Sequence, residues 1–160
     1  MEKKDVKILV VDDDKKLADN LVEYLVMLGY DAVGTYSGHD ALEKFRQRGD
    51  FQLVITDLMM PEMGGMELME SLKALDSKVV VMVITGHGSI ESAVTAINKG
   101  AYDFIPKPFK MHEIEVIISR ALERHTLFRQ LGVFRGLTLA LLISVPFWLI
   151  LGIIFAFFWD

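Results

Sequence analysis

The sequence predicts an α/β domain on a doubly wound, five-stranded parallel sheet, followed by a C-terminal membrane-spanning helix. Three observations predict it. Short β-branched runs alternate with helix-period segments five times, the pattern of right-handed crossovers that builds a parallel sheet with helices on both faces. Charge is confined to one part of the chain: 38 of the 39 charged residues lie within 1–135. Beyond them, residues 137–159 are 23 consecutive uncharged, mostly apolar positions.

The elements follow in order. Ile8 to Val11 is a short apolar run ending in Asp12, Asp13 and Asp14, and reads as a buried strand. Leu17, Leu21, Tyr24, Leu25 and Leu28 recur at helical spacing, Asp14 reads as the cap, and Gly29 stops the helix. Asp31–Tyr36 is a second, weaker strand. Ser37 and Asp40 resemble a capping box opening a helix over Ala41–Arg48, which ends before Gly49. Leu53–Thr56 is the third strand, closed by Asp57, and a loop with Pro61, Gly64 and Gly65 follows. Met66, Met69 and Leu72 line the next helix. Val79–Ile84 is the most apolar strand and ends at Thr85. Gly86, His87 and Gly88 make a turn, Ser89 caps a helix over Ile90–Lys99, and Gly100 stops it. Tyr102–Ile105 is the last strand, before Pro106, Lys107 and Pro108. Ile114, Ile117, Ile118, Ala121 and Leu122 mark a final amphipathic helix.

Composition removes several classes of function. The 160 residues leave room for one ordinary domain and a short appendage. With no cysteine, disulfides, zinc–thiolate sites and thiol catalysis are excluded. With 17 Lys+Arg against 22 Asp+Glu, the formal charge is −5, which argues against a nucleic-acid partner. The mean hydropathy of +0.35 is high because of the tail. Met1–Lys4 precedes only a four-residue apolar run, too short for the core of a secretory signal. His39, His87, His112 and His125 are scattered without ligand spacing. Met60, Met63, Met66 and Met69 step by three, which reads as a flexible loop and a core stripe rather than a soft-metal site.

In open parallel sheets, ligands bind beyond the carboxyl ends of the strands. Those ends carry Asp12, Asp13, Asp57, Thr85 and, just past the fifth strand, Lys107. Carboxylates so close repel, and a hard divalent cation offsets the repulsion. Oxygen ligands suit Mg²⁺, which favours one or two carboxylates plus a phosphate. A carboxylate can also be a nucleophile and accept a phosphoryl group. Lys107 and Mg²⁺ would neutralise the phosphoryl oxygens, and the Thr85 hydroxyl would donate to one.

Four stretches carry a specific resemblance: Leu9-Val10-Val11-Asp12-Asp13, Asp57-Leu58-Met59-Met60-Pro61, Ile84-Thr85-Gly86-His87, and Gly100 through Phe109. In this order, and over about residues 5–125, the chain resembles the receiver (CheY-like) domain of two-component response regulators. The Thr85–Phe109 stretch looks most like receivers that control sigma-54-type activators. The resemblance implies a flavodoxin-like sheet of strand order 2-1-3-4-5. It implies that Asp57 accepts phosphate from a histidine kinase or phosphotransfer protein. Asp13, Asp57 and the Met59 backbone carbonyl would bind Mg²⁺, with Asp12 helping through water. Lys107 would contact the phosphoryl group, and its bond to Pro108 is typically cis. Thr85 and Phe104 would form the switch pair. The chain would not be an enzyme beyond its own phosphorylation and autodephosphorylation. Gly64 departs from the family, which often has an acidic residue there; the departure would loosen a loop.

The predicted domains are therefore the receiver, 5–125, a basic juxtamembrane linker, 126–136, and a transmembrane helix, 137–159. As a helix the last spans about 34 Å, against a hydrocarbon core of roughly 30 Å. Arg124, Arg129 and Arg135 precede it, predicting a single-pass anchor in the inner (cytoplasmic) membrane with the receiver in the cytoplasm. Pro146 should kink it, and Trp159 would sit at the far interface. Small residues four apart, Ala140/Ser144 and Gly152/Ala156, could bring two copies together. Output would pass by protein contact, through the face of the fourth helix, fifth strand and fifth helix, to a partner or a second copy. The alternatives are a sink draining phosphate from a kinase, or a phosphatase resembling the haloacid-dehalogenase family with Asp12 as nucleophile. The latter family usually has Thr or Val where Lys16 stands here.

Overall fold

The computed structural model describes residues 3–86 and 90–123, together with Leu141, Leu142, Ser144 and Leu151. The chain divides into two compact units, Met1–Glu123 and Arg124–Asp160. In the first, five strands and five helices alternate after a single 3-10 turn at Lys3–Asp5. They are β1 Lys7–Val11, α1 Lys15–Met27, β2 Asp31–Thr35, α2 Gly38–Arg48, β3 Leu53–Asp57, α3 Gly65–Leu75, β4 Val80–Thr85, α4 Ile90–Asn98 and β5 Asp103–Pro106. The described part of α5 covers 111–123. All strand pairings are parallel and the order is β2-β1-β3-β4-β5, as the resemblance implies.

Both faces of the sheet are covered. Ile8, Val10, Ile55, Met82 and Ile84 point to one core, with Leu21 and Leu25 of α1 and Ile114 and Ile118 of α5. Leu9, Val11, Val54, Val81 and Val83 point to the other, closed by α2, α3 and Ala96 of α4. Successive strand residues thus feed opposite cores, which is why the strands read as continuous apolar runs. Burying each Leu or Ile side chain stabilises the unit by about 1.5–3 kcal/mol.

The helix caps follow the local chemistry. Asp14 accepts from Lys16 N and Leu17 N at the start of α1, as expected. Ser37 accepts from Asp40 N and caps α2, which begins at Gly38, three residues before the expected Ala41. Gly38 reads as a breaker but is required by packing: a Cβ there would lie 2.6 Å from the Met63 carbonyl oxygen. The cap expected at Ser89 and the turn at His87–Gly88 fall outside the described residues. Met60, Met63 and Met69 are buried, in line with a core stripe.

In the second unit, Leu141, Leu142, Ser144 and Leu151 are helical. The expected linker over 126–136 and the rest of the membrane helix over 137–159 fall outside the described residues. Among the described residues, no helix is long and apolar enough to cross a membrane.

Candidate functional site: an acidic pocket at the carboxyl edge of the sheet

Strand register assembles the site. Val11 of β1 lies opposite Thr56 of β3, so the next residues, Asp12 and Asp57, emerge side by side. Asp57 in turn lies opposite Ile84, and Thr85 opposite Pro106, which brings Lys107 to the same edge. The strand order changes direction between β1 and β3, the place where doubly wound sheets open a crevice.

Lys107 holds the pocket together. Its Nζ donates to Asp12 Oδ2 at 2.7 Å and to Asp57 Oδ2 at 2.8 Å. The other oxygen of Asp12 accepts from Asp14 N at 2.9 Å, and that of Asp57 from Met59 N at 3.3 Å. Asp12 and Asp57 are buried, and Asp13 is exposed. Each of the three offers a carboxylate oxygen within 4.8 Å of the others.

Burial dominates at Asp12: desolvation raises its carboxyl pKa above the ordinary value despite the opposing bond from Lys107, and the Asp57 charge adds to the rise. At Lys107 burial acts to lower the ammonium pKa, but the hydrogen bonds and charges of Asp12 and Asp57 outweigh it, and the net shift is upward. Lys107 therefore stays charged, and three carboxylates face one ammonium. The donor set is oxygen only and carries an excess of negative charge, which fits a hard divalent cation such as Mg²⁺.

The neighbouring residues set the shape of the pocket. Thr85 is buried at the end of β4, and its carbonyl accepts from Lys107 N at 2.9 Å. Phe104 lies on β5 opposite Val83, two register positions from Thr85, half-buried against the second core. The Lys107–Pro108 peptide is cis. Beneath Asp57, Leu17, Ile55, Ile84 and Phe109 line a small cavity. Sequence reasoning gave Phe109 no role of its own; its place immediately after Pro108 was the available signal.

The loop after Asp57 leads into α3. Gly64 is extended, with φ −75° and ψ 163°, and caps α3 without a side-chain bond. The positive φ falls on Glu62, at 64°. Gly65 is the sterically required residue: a Cβ would lie 2.1 Å from the Asp57 carbonyl oxygen. The start of α3 thus packs directly on the strand end that carries Asp57.

Comparison with known proteins bears on this pocket. Residues 8–119 match the response regulator receiver domain. The chain is 37% identical over 117 residues to the transcriptional regulatory protein ZraR of Salmonella typhimurium, covering 73% of this chain and 26% of that protein. Its fold is similar to the crystal structure of NtrX from Brucella abortus, with a TM-score of 0.76 and 35% identity, covering 81% of this chain and 30% of that one. It is also similar to the beryllofluoride-activated NtrC4 receiver domain dimer, with a TM-score of 0.71 and 34% identity, covering 74% and 98%. The chain spans about a quarter of the length of ZraR. A further relative, 32% identical over 119 residues and covering 74% of this chain and 24% of that protein, is the DNA-binding transcriptional regulator NtrC of Azospirillum brasilense, so the expectation of no nucleic-acid partner finds no support among the relatives. The extent of the match, on a sheet of this order with its acids at one edge, shows that the chain belongs to the response regulator receiver domain family.

Proposed function

We propose that the chain is a phosphoacceptor receiver of a two-component phosphorelay, with Asp57 taking the phosphoryl group from a histidine kinase or phosphotransfer protein. The observation that carries this reading is Lys107 bridging Asp12 and Asp57 beside the exposed Asp13. Asp57 Oδ2 attacks phosphorus, the phosphorus–nitrogen bond of the donor histidine breaks, and the imidazole takes a proton. The product is an aspartyl phosphate.

Asp13, Asp57 and the Met59 carbonyl would hold Mg²⁺, with Asp12 acting through water. When bound, the ion neutralises charge on the phosphoryl oxygens. Lys107 has its own part. Its ammonium loses one carboxylate charge when Asp57 is esterified and pairs instead with a phosphoryl oxygen. The Thr85 hydroxyl then donates to a second oxygen, and Phe104 moves inward behind it, a two-state element biased by new charge. Chemistry is confined to this self-phosphorylation and its reversal by water.

The tail, 137–159, would anchor the chain in the cytoplasmic membrane with the receiver in the cytoplasm. Output would run by protein contact, to a partner or a second copy, through α4, β5 and α5. Val94 and Ile97 of α4 and Val116 of α5 are exposed, which supports this face. The beryllofluoride-activated NtrC4 receiver domain is a dimer, which supports pairing of two copies.

The test is Asp57→Asn with a small phosphodonor such as acetyl phosphate and Mg²⁺. The variant should take up no acid-labile phosphate while the wild type does, and uptake at the wild-type rate would refute the assignment. Fractionation of cells carrying the full chain and a form lacking 136–160 tests the anchor: only the full chain should pellet with membranes.

A further inference from the structure

We propose that Met59 is a redox modification site, at which oxidation of the thioether by a peroxide lowers the phosphorylated fraction of the receiver. The inference rests on the reading of Asp57 as phosphoacceptor. It starts from a contrast among the methionines around the pocket. Met60, Met63 and Met69 are buried, whereas Met59 is 63% exposed. Yet Met59 is bound to the site through its backbone, whose N–H donates to Asp57 Oδ1 at 3.3 Å. An oxidisable residue is therefore open to solvent two residues from the acceptor, while Met60, Met63 and Met69 are shielded and Met66 is half-buried.

Peroxide transfers one oxygen to the Met59 sulfur: the O–O bond breaks, sulfur gives up two electrons, and the second oxygen leaves as water. The apolar side chain becomes polar, with an electron-rich oxygen acceptor. That oxygen is introduced beside a pocket where three carboxylates already outnumber one ammonium. The incoming phosphodonor is an anion, so the added acceptor opposes its approach. It also offers a hydrogen bond to water near the aspartyl phosphate. Both effects act in the same direction, toward less phosphoprotein.

A built-in comparison exists. Met27, at the last turn of α1, is 71% exposed. It lies at the far end of that helix from Asp14, about 20 Å along the axis. Peroxide should oxidise both residues, and only Met59 should matter to phosphate.

The experiment uses the full chain, oxidised with hydrogen peroxide, with mass spectrometry of the Met27 and Met59 peptides and steady-state phosphorylation from acetyl phosphate and Mg²⁺. Wild type and Met27→Leu should lose phosphorylation about threefold to tenfold, the equivalent of one ordinary polar contact. Met59→Leu, compared with itself before treatment, should lose none. Incubation with methionine sulfoxide reductases A and B, which act on the two epimers, should restore the wild type. An unoxidised Met59 peptide under conditions that oxidise Met27 overturns the inference. So does unchanged phosphorylation with Met59 oxidised, or an equal loss in Met59→Leu. Untreated wild type that takes up no phosphate overturns the receiver reading and this inference together.

Discussion

Replacing Lys107 by Met should destabilise the receiver without metal and make it more dependent on Mg²⁺. Lys107 Nζ makes two charge-assisted hydrogen bonds, at 2.7 Å to Asp12 and 2.8 Å to Asp57. Each is worth about 1.5–3 kcal/mol at most. The carboxylates are only 7% and 10% exposed, so their loss of a partner is felt, whereas the lysine is 21% exposed and water can enter where it stood. A net cost of about 2–3 kcal/mol follows, below the roughly 3–5 kcal/mol of a fully buried pair. For a unit of this size that is a fall in Tm of about 10 °C. Mg²⁺ at ten times its dissociation constant returns about 1.4 kcal/mol to any form that binds it. With the competing ammonium gone the variant should bind Mg²⁺ more tightly, so at one Mg²⁺ concentration it should gain more than the wild type. The assay is thermal unfolding of both proteins in EDTA and across a Mg²⁺ titration. Equal Tm values in EDTA, or equal gains in Mg²⁺, would refute the electrostatic account of the pocket.

Three further outcomes follow from the same geometry. Gly65→Ala should cost more than about 3 kcal/mol, because its Cβ would meet the Asp57 carbonyl oxygen at 2.1 Å and backbone would have to shift; urea unfolding measures this. Asp14→Ala should cost about 1 kcal/mol, seen as a Tm lower by about 4 °C, since the bonds to Lys16 N and Leu17 N are lost. Asp12→Asn carries a pH signature. Burial raises the Asp12 pKa, so that group's contribution to folding is full below the unfolded value of 3.8 and is lost as pH rises through the folded value. In EDTA, the stability of Asp12→Asn relative to wild type should therefore improve as pH rises above 3.8; a flat difference in denaturant melts would contradict the desolvation argument.

Much of the fold was legible because β1, β3 and β4 are apolar on both sides and α1 and α2 have chemical starts or stops. β3 is buried at all five positions, and its continuous run left no alternative period. Asp14, Ser37 and Gly49 mark helix ends by side-chain chemistry or a left-handed φ, and each could be read locally. What was not legible depended on distant neighbours. The close approach of Gly38 to Met63, 25 positions away, is invisible to a local pattern. The pocket residues were readable as a set, because all fall at strand ends. The bridge made by Lys107 was not, since the repulsion among the acids could equally have been assigned wholly to a cation from solution.

That bridge changes how the resting state is understood. A pocket of three acids awaiting metal would be under strong mutual repulsion, yet here the Lys107 ammonium already bridges two of them and offsets part of that charge. On the proposed function, esterification of Asp57 would remove one of the two carboxylate charges beside Lys107 and would supply phosphoryl oxygens in its place. The ammonium can stay charged throughout, because its pKa is already raised by Asp12 and Asp57 against the pull of burial. What would change is its geometry. The Thr85 carbonyl accepts from Lys107 N, which ties Lys107 to the end of β4. On the proposed function, a rearrangement of the Lys107 side chain would act at this edge, on the strands that lead to the exposed apolar residues of α4 and α5. On the proposed function, the salt bridge that spans the unphosphorylated pocket would be the contact exchanged on phosphorylation.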